Sequence, residues 1–97
     1  MSAPIYRFYR VKFTDAWHKL SQEEKERLQE KLSQSYAEQG IKEIGQFRTF
    51  WSSEWSVFGL EEFPDVGAVE KWRTTMEQLG IFETVEIESM LGIKEQS

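Results

Sequence analysis

Histidine is the residue type that exchanges protons most readily near neutral pH, and this sequence has a single copy, His18. It follows Trp17, just after the first strand-like segment, where the mouth of a cavity is expected. We therefore predict His18 as the catalytic residue, a general base, or else a donor that binds the ligand. The alternative is a half-exposed loop histidine without a chemical role. No metal site is predicted, because zinc needs several protein ligands and the chain has no cysteine.

Arg48 is the second candidate, since it interrupts an otherwise apolar segment between Phe47 and Thr49. A guanidinium group in a dry pocket can hold a carboxylate or a carbonyl oxygen through paired hydrogen bonds. We predict Arg48 as a ligand-binding residue. An ion pair across a dimer interface is the alternative explanation.

Arg10 is predicted as a third polar group of the site. It shares a strand face with Lys12, and Glu86 and Glu88 lie opposite these two residues if the last strand pairs with the first. The four charges then form either a polar wall that orients a ligand or cross-strand ion pairs that need no ligand.

Aromatic residues supply the predicted walls of a pocket for a flat organic molecule, because ligand sites are mostly apolar with a few polar groups. We assign this role to Tyr6, Trp17 and Trp51. The same types of side chain also fill protein cores and interfaces, so the alternative is that these aromatics only pack.

The hydrophobic periods along the chain follow the order βαββαβ. A strand is predicted at Ile5–Phe13, a helix from the capping box of Ser21 and Glu24 to Gly40, and two strands at Ile44–Trp51 and Trp55–Phe63. A turn at Ser52 to Glu54 joins these two strands. A second helix between the N-cap Asp65 and Gly80, and a last strand around Val85, complete the pattern.

This order predicts an α+β fold of the ferredoxin-like type, in which two helices cover one face of a four-stranded antiparallel sheet. We expect a single domain over residues 1–97. The strands carry apolar residues on both faces, so the uncovered face requires a partner. RNA-recognition domains share the element order, but their basic, glycine-rich third strand contrasts with the acidic pair Glu61 and Glu62 here.

Composition excludes several classes of partner. The 12 basic and 17 acidic residues give a net charge of −5, which disfavours nucleic acid and anionic membranes. The absence of cysteine rules out disulfides and thiolate chemistry. The sequence shows neither an apolar leader at the N-terminus nor a membrane-spanning run, so a cytoplasmic location is predicted.

The segment Glu62-Phe63-Pro64-Asp65, with the residues that follow it, resembles the second half of the dimeric α+β barrel superfamily: Ala68, Trp72, Leu79, Gly80, Phe82 and Glu86. Relatives of this type include cofactor-free antibiotic-biosynthesis monooxygenases, EthD-like proteins and haem-degrading monooxygenases. The resemblance implies a homodimer with its sheets face to face. It also implies a ligand cavity between sheet and helices or beside the connector after the first strand. The monooxygenases commonly use an asparagine with a tryptophan, and this chain has no asparagine.

We therefore predict a homodimer that binds a small apolar organic ligand, or a cofactor-independent enzyme acting on an apolar, carbonyl-bearing compound. No cofactor is expected. The alternative is a structural or interaction homodimer without a ligand cavity.

Overall fold

The predicted order of strands and helices is present in the structure, a computed structural model that describes residues 3–51 and 54–95. Two short helices accompany the two long ones. The elements are β1 Ile5–Phe13, α1 Asp15–Lys19, α2 Gln22–Gln39, β2 Lys42–Arg48, β3 Val57–Phe63, α3 Val66–Gln78, α4 Ile81–Thr84 and β4 Val85–Gly92.

The four strands form one antiparallel sheet in the order β2-β3-β1-β4. This confirms the predicted ferredoxin-like α+β fold. Successive side chains of the central strand β1 point to opposite faces of the sheet. Arg7, Tyr9 and Val11 lie on the face toward the helices, here called the inner face. On β3 the register places Glu61 opposite Arg7 and Gly59 opposite Tyr9. The face away from the helices is called the outer face.

The long helices begin and end where the sequence predicts. Ser21 and Glu24 form a reciprocal capping box, and Gly40 ends α2 in the left-handed conformation with φ 69°. The carboxylate of Asp65 accepts a 2.8 Å hydrogen bond from the backbone N–H of Ala68 at the start of α3. The predicted connector after β1 contains the short helix α1, capped by Thr14. None of the helices in the described part of the chain is both long and apolar enough to cross a membrane.

The hydrophobic core lies between α3, α4 and one end of the sheet. Phe63 is fully buried, and its ring meets the ring of Trp72 edge to face with 6.0 Å between centroids. Met76, Ile81 and Val85 are also buried in this cluster. The apolar side of α2, formed by Leu28, Leu32 and Tyr36, is only partly buried, so α2 lies over a less filled part of the inner face.

The outer face carries a cluster of aromatic side chains that no helix covers. Phe58 stacks on Phe47 at 5.0 Å and contacts Phe8 at 6.4 Å between ring centroids. Phe8, Phe47 and the nearby Met90 are 41%, 54% and 68% exposed. An apolar surface of this kind is typical of a protein interface.

The central hairpin differs from the prediction in its boundaries. Strand β2 ends at Arg48 instead of Trp51, and β3 begins at Val57, so both tryptophans of this region lie outside the strands. The prediction made both strands too long at the hairpin end because it relied on the high density of aromatic residues there. The predicted turn residues Ser52 and Ser53 lie outside the described residues.

Candidate ligand cavity

A cavity of about 460 Å³ lies between the inner face of the sheet and helices α1 and α2. This volume is within the range of roughly 300 to 1,000 Å³ common for small-molecule sites. Trp17, Leu32 and Val57 supply apolar wall, and Gln29, Ser33 and Gln46 are exposed around it. The remaining lining residues are Arg7, Tyr9, Val11, Phe13, Tyr36, Glu43, Glu61, Met76, Ile81, Val85 and Ile87.

A buried ion pair between Arg7 and Glu61 forms the polar floor of the cavity. The two side chains are 3% and 2% exposed. Arg7 Nε and Nη2 donate hydrogen bonds of 2.9 and 2.7 Å to Glu61 Oε1, and Nη1 donates one of 2.8 Å to Ser89 Oγ. The guanidinium carbon lies 4.3 Å from the ring centroids of both Tyr9 and Trp72. Hydrogen bonds and aromatic faces therefore fix the orientation of Arg7.

Tyr36 extends this network from α2. Its hydroxyl donates a 2.6 Å hydrogen bond to Glu61 Oε2 and accepts one of 3.2 Å from Trp72 Nε1. Burial raises the pKa of the Tyr36 phenol, and the negative charge of Glu61 raises it further. The phenol consequently stays protonated, and both oxygens of Glu61 are engaged.

Tyr9 and Glu43 form a second polar pair, nearer to solvent. Tyr9 Oη donates a 2.8 Å hydrogen bond to Glu43 Oε1. Burial, followed by the hydrogen bond to Glu43, raises the pKa of the Tyr9 phenol. Partial burial raises the pKa of the Glu43 carboxyl, and repulsion from the nearby Glu61 carboxylate together with hydrogen bonding to it adds to the rise, whereas Tyr9 and Arg7 oppose it. Glu43 is thus a carboxyl group of raised proton affinity at the edge of an apolar cavity.

The structure places one of the sequence-predicted site residues, Trp17, in the cavity wall. Its ring stacks on Phe13 with 5.1 Å between centroids. His18 is exposed on α1, and its backbone N–H bonds to Thr14 O at 3.2 Å. Trp51 is 91% exposed beyond the end of β2.

The remaining predicted residues, Tyr6, Arg10 and Arg48, lie at three different places. Tyr6 points away from the helices and donates a 2.8 Å hydrogen bond to Glu62. Arg10 lies on the outer face, paired with Glu88 at 2.9 Å, and its guanidinium carbon is 4.1 Å from the ring centroid of Trp55. Lys12 pairs with Glu86 at 3.3 Å, as the cross-strand interpretation expects.

Arg48 lies in a neighbouring depression of about 680 Å³, which shares Phe13, Gln29, Gln46 and Val57 with the cavity. The six predicted residues are therefore not brought together in one site. The catalytic role of His18 and the ligand-binding roles of Arg10, Arg48, Tyr6, Trp17 and Trp51 stay predictions.

Sequence reasoning missed the polar network of Arg7, Glu61, Tyr36, Tyr9 and Glu43. A usable signal was present for the ion pair, because Arg7 falls on the apolar side of the alternation in β1 and Glu61 falls on the matching side of β3. Opposite charges at such positions indicate a buried pair. The sequence contains no comparable signal for Glu43, because the face of the sheet on which it lies depends on an irregularity of β2 between Glu43 and Gly45. Within the described residues, no cluster of histidine, cysteine or acidic side chains is arranged to hold a metal ion.

Solved structures of the same fold support this architecture. A protein of unknown function from Rhodopseudomonas palustris has a TM-score of 0.66 at 11% identity, over 100% of this chain and 86% of that one. SnoaB from Streptomyces nogalater, described as a cofactor-independent oxygenase, has a TM-score of 0.61 at 14% identity, over 99% and 97%. A dimeric protein of unknown function with a ferredoxin-like fold from Bacteroides fragilis has a TM-score of 0.52 at 14% identity, over 94% and 96%.

The predicted resemblance to dimeric ferredoxin-like proteins is thereby confirmed at the level of the fold, which is what identities this low can show. No protein-family model matches the sequence, and no curated protein matches it.

Proposed function

We propose that this protein binds a small, flat, mainly apolar organic compound in the cavity between its sheet and helices. The observation that carries this proposal is the cavity itself, about 460 Å³ in volume, whose apolar walls converge on a fixed polar cluster. Sites of this composition are typical of small-molecule recognition. The compound would lie against Trp17, Leu32 and Val57, with its polar end toward Tyr9 and Glu43.

The fixed geometry of the floor supports binding over mere packing. Arg7, Glu61 and Tyr36 hold one another through hydrogen bonds of 2.6 to 2.9 Å. A polar surface that is already ordered loses little conformational freedom when a ligand binds, which favours affinity.

Cofactor-independent turnover is the second candidate function, and Glu43 is the observation that favours it. A carboxyl group of raised proton affinity beside a buried phenol is suited to accept a proton from a bound compound. The oxygenase activity of SnoaB belongs to a protein that shares the fold at 14% identity. We propose binding as the primary function and proton transfer as its extension.

We also propose that the protein is a homodimer formed through the outer face. Phe8, Phe47 and Phe58 make a continuous aromatic surface there. A second copy presents the same surface, so a symmetric pair would cover both. This arrangement leaves the cavity on the inner face open to a ligand in each subunit.

Two matched variants on α2 test the binding proposal. Ser33 lines the cavity and Gln34, its exposed neighbour, does not. Binding of 1-naphthol and of the ketone 1-tetralone is measured by titration calorimetry. Ser33→Trp should obstruct the mouth and weaken binding by about tenfold or more, equivalent to roughly 1.4 kcal/mol, whereas Gln34→Trp should bind as the native protein does. If neither compound binds the native protein, or if the two variants behave alike, the structural homodimer without a ligand is the better account.

A further inference from the structure

Three charged residues line the cavity: Arg7, Glu43 and Glu61. The opposite charges of Arg7 and Glu61 offset each other. Arg7 directs Nε and Nη2 to Glu61 and Nη1 to Ser89, so its charge is fully engaged within the protein. Glu61 is likewise engaged by Arg7 and Tyr36. Glu43 is the lining residue whose charge is left over, which gives the lining one net negative charge when it is ionised.

Apart from Arg7 and Glu61, the other ionisable groups near Glu43 either are neutral or do not line the cavity. Tyr9 and Tyr36 stay protonated, because burial and the neighbouring carboxylates raise the pKa of each phenol. Lys25 lies on α2 with Nζ 5.6 Å from the ring centroid of Trp17. Arg48 lines the neighbouring depression together with Glu54. The cavity itself therefore offers a hydrogen-bond acceptor of negative charge.

We infer that the compound bound in this cavity is uncharged and presents a hydroxyl donor, as a phenol or enol does, to the carboxylate of Glu43. The inference rests on the proposed function and names the class of ligand that the site takes. Tyr9 occupies Oε1 of Glu43. A carboxylate has about four acceptor positions, so Glu43 can accept a further hydrogen bond from a ligand.

The negative charge of Glu43 favours an uncharged hydroxyl compound over an organic anion. A hydrogen bond from a hydroxyl to a carboxylate is charge-assisted and stronger than one between neutral groups. An anionic ligand would instead bring a like charge toward Glu43 at the edge of the cavity and toward the buried Glu61. The site should accordingly distinguish a phenol from an organic acid of the same shape.

Three probes with the same fused ring test this inference in the full-length protein at neutral pH. 1-Naphthol is an uncharged donor, 1-methoxynaphthalene lacks the donor, and 1-naphthoate is an anion. We expect 1-naphthol to bind about tenfold or more tightly than either of the other two, the size expected for one hydrogen bond to a charged group. Glu43→Gln should remove most of the discrimination against 1-naphthoate. Glu62→Gln, which removes a carboxylate from the outer face, should leave the ratios unchanged.

The possible results distinguish a failure of the inference about the ligand class from a failure of the proposed binding function. Equal or tighter binding of 1-naphthoate to the native protein overturns the inference while the binding function stands. Unchanged discrimination in Glu43→Gln overturns the role of Glu43 in the same way. If none of the three probes binds, the proposed function itself fails.

Discussion

The ring of Tyr9 lies against Gly59, the residue opposite it on strand β3. A Cβ atom on Gly59 would lie 2.5 Å from Tyr9 Oη and 2.7 Å from the backbone oxygen of Gly45. The space left by the missing side chain lets the phenol reach Glu43, to which it donates its 2.8 Å hydrogen bond. The glycine is required here for space, since its backbone is that of an ordinary strand.

Gly59→Ala should therefore destabilise the protein and displace Tyr9. We expect a loss of about 1 to 3 kcal/mol in the free energy of unfolding, as for other overpacked interiors. Urea denaturation measures this loss. Gly92→Ala is the matched control on β4, where an added Cβ meets no atom within 4 Å, and it should change the stability by less than about 0.5 kcal/mol. Equal effects of the two substitutions would contradict the packing of Tyr9 described here.

Loss of one partner of the buried ion pair should be strongly destabilising. Arg7→Met leaves Glu61 buried without its counter-charge, and we expect a cost of about 3 to 5 kcal/mol in unfolding free energy. Arg73→Met removes an ion pair with Glu77 on α3 whose side chains are 75% and 58% exposed, so its loss should cost at most about 1 kcal/mol. Denaturant unfolding of both variants gives the comparison. A cost for Arg7→Met as small as that for Arg73→Met would show that the floor of the cavity is not held by the pair of Arg7 and Glu61.

The pH dependence of stability should carry a contribution from Glu43. Because its pKa is raised on folding, the folded state binds more protons than the unfolded state between the ordinary and the raised value. Stability therefore falls as pH rises through that window. Glu43→Gln lacks this contribution, so its stability relative to the native protein should increase with pH there and level off above it.

Urea unfolding at a series of pH values from about 3 to 7 spans the carboxyl titration. Tyr9→Phe removes the hydrogen bond that opposes the shift, and it should extend the decline to higher pH. A relative stability of Glu43→Gln that decreases with rising pH would mean that the pKa of Glu43 is lowered by folding.

Assembly through the outer face predicts that a single charge there separates the subunits. Phe58→Glu puts a carboxylate between Phe8 and Phe47, and we expect light scattering at micromolar concentration to give the monomer mass, against twice that mass for the native protein. Val66→Glu introduces the same charge at an exposed residue of the helix layer and should remain dimeric. A native protein that is monomeric would remove the outer face as the interface.

Much of the fold follows from local signals in the sequence. The density of strand-forming residues in β1, the capping box at Ser21 and the stop at Gly40 each indicate their element without help from distant residues. The hairpin boundaries did not follow in this way, because Trp51 and Trp55 have strand-forming side chains but lie where β2 and β3 are no longer paired.

The candidate site was less accessible to prediction. His18 and Arg48 stand out as residue types, yet their positions on an exposed helix and at the end of an edge strand depend on tertiary packing. The cluster that lines the cavity depends on strand register, which aligns Arg7 with Glu61, and on the side taken by Glu43 at the irregularity in β2. A one-residue change of register would move such side chains to the other face.

The central claim is that a compound binds in the cavity on the inner face, and two methionines report on it directly. Met76 lines the cavity, and Met90 lies on the outer face. With the methionine methyl groups labelled with carbon-13, intermolecular nuclear Overhauser effects from bound 1-naphthol identify the occupied face. We expect Overhauser effects between the naphthol ring and the Met76 methyl group, and none between the ring and the Met90 methyl group. Contacts to Met90 without contacts to Met76 would place the compound on the outer face and contradict the claim.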